Sequence, residues 1–146
     1  MFLGQYKHAL DSKGRVILPV KLRKLDELVK SFVLTIGMEN CISVYPSEIW
    51  DQQAEEYKSI PWNDPNGRTF KRGMFSNATP VEPDRQGRIG IPSHLREYAG
   101  IKKEVVIAGM NDHLEIWDRE KWAEFSKKAE QSLSENASKL TGYNKL

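Results

Sequence analysis

The stretch "DSKGRVILPVKLR" at residues 11–23 returns as "DRQGRIGIPSHLR" at residues 84–96. Asp, Gly, Arg, Pro, Leu and Arg coincide at one spacing, from Asp11 to Asp84 and from Arg23 to Arg96, while Val16 and Leu18 fall on Ile89 and Ile91. Further on, "VLTIGMENCISVYPSEIW" (33–50) aligns with "VVIAGMNDHLEIWDREKW" (105–122) at a spacing one residue shorter. This second block sets Gly37-Met38 on Gly109-Met110, Tyr45 on Trp117 and Trp50 on Trp122. A repeated order of this kind marks two copies of one supersecondary unit.

Both copies read alike. Extended segments (Phe2–Leu10 and Phe75–Pro83) lead into the D-x-x-G-R turn, and a short strand with alternating apolar residues follows. Pro19 and Pro92 then sit where a fixed φ suits the first position of a helix. Leu22, Leu25 and Leu28 form a helical stripe in the first copy, and Leu95 and Ala99 do so in the second, which Gly100 closes. A hairpin comes next, 33–37 with 42–45 and 104–109 with 114–117, its corners "MEN" and "MND" carrying turn-tolerant residues. Each unit ends in a helix. Pro46 or Ser47 opens the first, with Trp50, Ala54 and Tyr57 on one face, and Asp118 caps the second, with Trp122, Phe125, Ala129 and Leu133 in line.

The expected division is a first unit at 1–58, a connector at 59–74, a second unit at 75–133 and a fraying polar tail at 134–146. Neither half buries enough apolar surface to stand by itself. The expected fold is therefore α+β with a mainly β core, in which two tandem units pair about a pseudo-two-fold axis and close one small barrel.

Composition narrows the function classes. The chain has 146 residues, is 39% hydrophobic and 29% charged, and carries a net charge of +2, the profile of a folded globular protein. The charge is unevenly placed: Lys7, Lys13, Arg15, Lys21, Arg23 and Lys24 face only Asp11 between residues 7 and 24. Such a local excess attracts phosphate even on a near-neutral molecule. A single cysteine, Cys41, excludes an internal disulfide framework and reads as a small core residue. No apolar run approaches the roughly 18 residues of a membrane span, and the N-terminus lacks a signal-peptide pattern, so a reducing cytoplasm is the expected compartment.

The turn itself divides into two roles. Asp11 and Asp84 can accept backbone N–H groups two or three residues on, and Gly14 and Gly87 can take positive φ, so these four residues read as builders of the turn. Lys13 and Arg85 stand at the tips, where no strand or core contact requires a cation. A solvated surface charge and a phosphate contact both remain open for them. Arg15 and Arg88 either close an ion pair on their own Asp or reach out to guanine, whose O6 and N7 accept bidentate arginine.

These paired motifs, with their Pro and Leu-Arg sequels, "GMNDHLEIW" (109–117) and the N-terminal "MFLGQY", resemble the MraZ family, one of the AbrB-like swapped-hairpin barrels. The resemblance runs from Met1 to about Leu133. It implies a bacterial, nucleoid-associated transcriptional regulator of the division and cell-wall gene cluster that begins with its own gene. It also implies a homo-oligomeric ring, commonly of eight protomers, binding short G-rich direct repeats in double-stranded promoter DNA through the turns at Asp11–Arg15 and Asp84–Arg88. The DNA-contacting residues would be Lys13, Arg15, Arg85 and Arg88. The second turn departs from the first at its tip, with Arg85-Gln86 in place of Ser12-Lys13.

Two rival classes fit the sequence less well. An enzyme would need clustered chemistry, whereas His8, His94 and His113 are scattered, and no H-x-x-x-H, G-x-S-x-G or P-loop pattern occurs. No cofactor, metal or small-molecule substrate is expected. An antitoxin-like interaction module would use the barrel and the C-terminal helix to dock a partner, but usually carries one unit where this chain carries two.

Overall fold

A computed structural model describes residues 1–19 and 29–142. The stripe expected at Leu22, Leu25 and Leu28, and the matching Arg23, lie outside the described residues. The first unit supplies β1 (Gln5–Ala9), β2 (Arg15–Ile17), β3 (Phe32–Ile36) and β4 (Ile42–Pro46), followed by α1 (Ser47–Lys58) and α2 (Pro65–Ser76). The second supplies β5 (Thr79–Val81), β6 (Arg88–Gly90), α3 (Ser93–Ala99), β7 (Glu104–Gly109) and β8 (Leu114–Asp118), then α4 (Arg119–Gln131) and α5 (Leu133–Lys139).

Strand order shows how the halves depend on one another. Six strands form an antiparallel sheet in the order β1-β7-β8-β4-β3-β5, and β2 pairs with β6 in a separate ribbon. Within a unit only the hairpins β3–β4 and β7–β8 pair, whereas β1 joins β7, β5 joins β3, β4 joins β8 and β2 joins β6. Each half thus lends strands to the other, as the swapped-hairpin arrangement requires. The pseudo-two-fold axis passes between Val16 and Ile89 in the ribbon and between Ser43 and Glu115 at the β4–β8 seam, the residues that face one another at the centre of each pairing.

One core fills the barrel. Val16, Leu18, Ile89 and Ile91 around the ribbon pack with Leu34, Ile42, Val44, Val105, Ile107, Leu114 and Ile116 of the sheet, joined by Leu95 and Ala99 of α3. Helices cover the other face of the sheet, which is why β4 and the middle of β7 are buried on both sides rather than alternating. On that face Tyr45 meets Trp50 at 5.7 Å, and the matched pair Trp117 and Trp122 meets at 5.5 Å.

Four expectations are corrected. The turn formers at 59–74 include a helix start: Asp64 caps α2 by accepting from Asn66 N at 2.9 Å, and Pro65 occupies the first turn. Helix α2 runs on through Phe75 to Ser76, so the second extended segment shrinks to Thr79–Val81. Burial of Met74 and an edge-on contact of Phe70 with Tyr57 at 5.1 Å hold α2 in place, which local turn chemistry does not reveal. At the other end, the chain remains helical as α5 to Lys139, helped by a Lys139–Glu135 pair one turn apart. Leu133 belongs to that second helix, after a break at Ser132, and is 71% exposed, so only Trp122 and Phe125 of the expected stripe reach Trp117.

Candidate nucleic-acid interface

The two D-x-x-G-R turns have the same geometry. Asp11 Oδ1 accepts from Lys13 N and Arg15 N, both at 2.9 Å, while Oδ2 accepts from Arg15 Nε at 2.8 Å. Asp84 Oδ1 accepts from Gln86 N and Arg88 N at 2.9 Å, and Oδ2 from Arg88 Nε at 2.7 Å. Gly14 and Gly87 lie in the left-handed region at φ 74° and 77°, where a Cβ would be strained. Backbone N–H groups donated by Arg15 and Arg88 are the main reason that both carboxyls stay ionised below the usual aspartate range.

The ribbon then brings the turns to one surface. Arg15 faces Gly90, Val16 faces Ile89 and Ile17 faces Arg88. Because Val16 and Ile89 point into the core, strand alternation sends Arg15 and Arg88 to the same outer face. They are diagonal neighbours across the ribbon, with Cα atoms roughly 7–8 Å apart. Gly90 leaves open space opposite Arg15, and Ile17 is half-exposed beside Arg88. Each turn is also bolted to the other unit: Ile91 N donates to Gly14 O and Leu18 N donates to Gly87 O, both at 2.9 Å. Each Asp holds its arginine through Nε, and both arginine side chains stay partly exposed.

Lys13 and Arg85 are exposed at the turn tips and take part in none of the ion pairs among the described residues. Sequence reasoning did not single out Arg96, which the structure adds to the first turn. Its guanidinium lies against Gly14, so close that a Cβ there would stand 2.7 Å from Nη1. Its Nε is buried without a hydrogen-bond partner among the described residues. The available signal was the repeated Leu-Arg at 22–23 and 95–96, whose arginine has no evident role in a helix start.

The model of the family described as "MraZ protein, putative antitoxin-like" matches residues 1–73 and again 74–144. The chain belongs to the MraZ family. It is 44% identical over 143 residues to the transcriptional regulator MraZ of Heliobacterium modesticaldum, covering 98% of this chain and 99% of that one. Identity to the transcriptional regulator MraZ of Halothermothrix orenii is 46%, covering 96% of each. The protein of the same name from Caldanaerobacter subterraneus is 45% identical, covering 99% of each.

The remaining chemistry of this MraZ-family chain is dispersed. His8 lies on β1, where burial lowers its pKa; His94 opens α3 and lies 3.4 Å from Asn77 O; His113 sits at the β7–β8 corner beside Asp112. Among the described residues no group of three His, Cys, Asp or Glu side chains could hold a metal ion. Cys41 is buried, and burial, followed by the charge of Glu115, pushes its thiol pKa well up. No helix among the described residues is long and apolar enough to cross a membrane.

Proposed function

We propose that this chain is a sequence-specific DNA-binding transcriptional regulator acting at the promoter of its own division and cell-wall gene cluster, where it reads short G-rich direct repeats. The observation that carries this reading is the pair Arg15 and Arg88 on one outward face of a two-stranded ribbon. A ribbon of that width enters the major groove, and the free amino ends of an arginine match guanine O6 and N7. Asp11 and Asp84 then act as positioning residues, since gripping Nε limits the rotamers each guanidinium must give up on binding. Lys13, Arg85 and Arg96 surround the ribbon as phosphate contacts.

One protomer offers few contacts and would bind weakly, with strong salt dependence. A homo-oligomeric ring, as an octamer, would present several ribbons to successive repeats and raise avidity without new chemistry. The exposed Leu133 and Leu140 beyond α4 supply apolar surface for contact between copies. Docking of an unlike partner on these C-terminal helices is the rival, antitoxin-like reading.

The test is a gel-shift titration on DNA from upstream of the chain's own gene at two salt concentrations, beside shuffled DNA. A selective, salt-sensitive shift that is lost in a folded R15A/R88A double variant is expected. Equal binding to shuffled DNA, or an unchanged shift in the double variant, would overturn the proposal. Light scattering tests the ring separately, and a stable monomer would remove the avidity argument.

A further inference from the structure

Away from the ribbon, the helices leave a cavity of about 640 Å³ between the Gly37 corner, α1, α2 and α3. That size suits a small molecule. Its walls are aromatic: Tyr45 from β4, Tyr57 from α1, Phe70 from α2 and Tyr98 from α3. Tyr98 closes one side by donating its hydroxyl to Gly37 O at 2.6 Å.

Among the described residues the charge in this cavity has one sign: Glu39 and Glu115 line it, and no lysine or arginine does. Neither carboxylate belongs to an ion pair among the described residues. Among the described residues Glu115 accepts only neutral donors, Trp117 Nε1 at 3.1 Å and Cys41 Sγ at 3.4 Å, which orient it without cancelling its charge. The one weak base on the wall, His113, is turned to Asp112 at 2.6 Å and stacks on Tyr45 at 4.8 Å. Burial first, with Asp112 and Glu115 among the further causes, pushes the Tyr45 phenol up to about 12. Burial first, then Cys41 and Glu39, raises Tyr98.

We propose that this cavity is a binding site for an organic cation, a protonated amine or quaternary ammonium carried on an apolar body. An anion would meet two unneutralised carboxylates. A neutral apolar molecule would desolvate those carboxylates and return nothing to them. A cation pairs with them and meets the aromatic walls of Tyr45, Tyr57 and Phe70 as well. Tyr98 and Arg96 share the short helix α3, which therefore joins one wall of the cavity to the cover of Gly14.

The experiment uses the full chain without DNA, so its outcome is separate from the DNA-reading proposal. Three probes of similar size and different charge, 2-phenylethylammonium, 2-phenylethanol and phenylacetate, are titrated by calorimetry and by amide NMR shifts. The expected result is saturable binding of the ammonium, at least about tenfold tighter than the alcohol, and none of the acid. Shifts should centre on Gly37, Tyr98 and His113. In the E39Q/E115Q variant the ammonium should lose about tenfold in affinity at unchanged Tm, since glutamine at position 115 still accepts from Trp117. Equal binding of alcohol and ammonium, or no saturable binding of either, would overturn the proposal. So would loss of an assembly in the glutamine variant without probe binding, because a basic side chain of a second copy would then be the occupant.

Discussion

Arg15 and Arg88 stand diagonally across the β2–β6 ribbon, each gripped through Nε by the aspartate that opens its own turn, at 2.8 and 2.7 Å. Removing one arginine leaves the core pair Val16 and Ile89 intact. R15A and R88A should each weaken operator binding by about 1–3 kcal/mol and relax base preference at one position, with an unchanged circular dichroism spectrum. Affinity measured across a set of single-base operator variants checks this.

Lys13 and Arg96 predict a different signature. K13A and R96A should weaken binding to operator and shuffled DNA alike and lower the slope of log K against log salt by about 1 each. Because Arg96 Nε is buried without a partner among the described residues, R96A should also leave Tm unchanged or raise it. A loss confined to the operator would mean that these residues read bases.

Two glycines of the ribbon should respond oppositely. Gly14 has φ 74° and Arg96 lies where its Cβ would go, so G14A should cost about 1–2 kcal/mol in chemical denaturation. At Gly90 an added Cβ meets open space, and G90A should hold or slightly raise stability.

The acid limb of stability follows from Asp11 and Asp84. Their folded pKa values lie below 3.8, so the support they give is complete above the unfolded value and fades as pH falls through the folded one. Carboxyl-carbon NMR titration should place both midpoints under 3.8, and D11N should flatten the stability profile below that pH. A midpoint at or above 3.8 would contradict the observed turn.

Strand exchange between the halves makes the last prediction. Residues 1–73 in isolation lose the partners of β1, β2 and β4, keeping only the β3–β4 hairpin. The fragment should be unfolded as a monomer, or fold only by pairing with itself, as judged by sedimentation and amide dispersion. A cooperatively folded monomer would show that the exchanged strands are dispensable.

Much of this architecture is legible from local chemistry. Both hairpins, the Asp118 cap, the Gly100 stop and the repeated turn each depend on residues a few positions apart, and each leaves a pattern there. Helix α2 was hidden because its capping signal, Asp64-Pro65, uses the same residues as a turn, and its packing against Tyr57 and β3 is tertiary. The helix at Leu133–Lys139 was hidden because its surface is almost wholly polar and offers no apolar stripe.

By itself, then, the sequence determined that two equivalent units exist, that each presents an Asp-braced turn, and that neither can bury a core without the other. Only the tertiary structure decided which strands are exchanged, and hence that Arg15 and Arg88 share one face rather than lying on opposite sides of the barrel. The same holds for Arg96 over Gly14 and for the acidic cavity behind Tyr98. The physical reason is range: turns and caps are set by hydrogen bonds within a few residues, whereas these juxtapositions depend on which buried surfaces meet across the pseudo-two-fold axis, far apart along the chain.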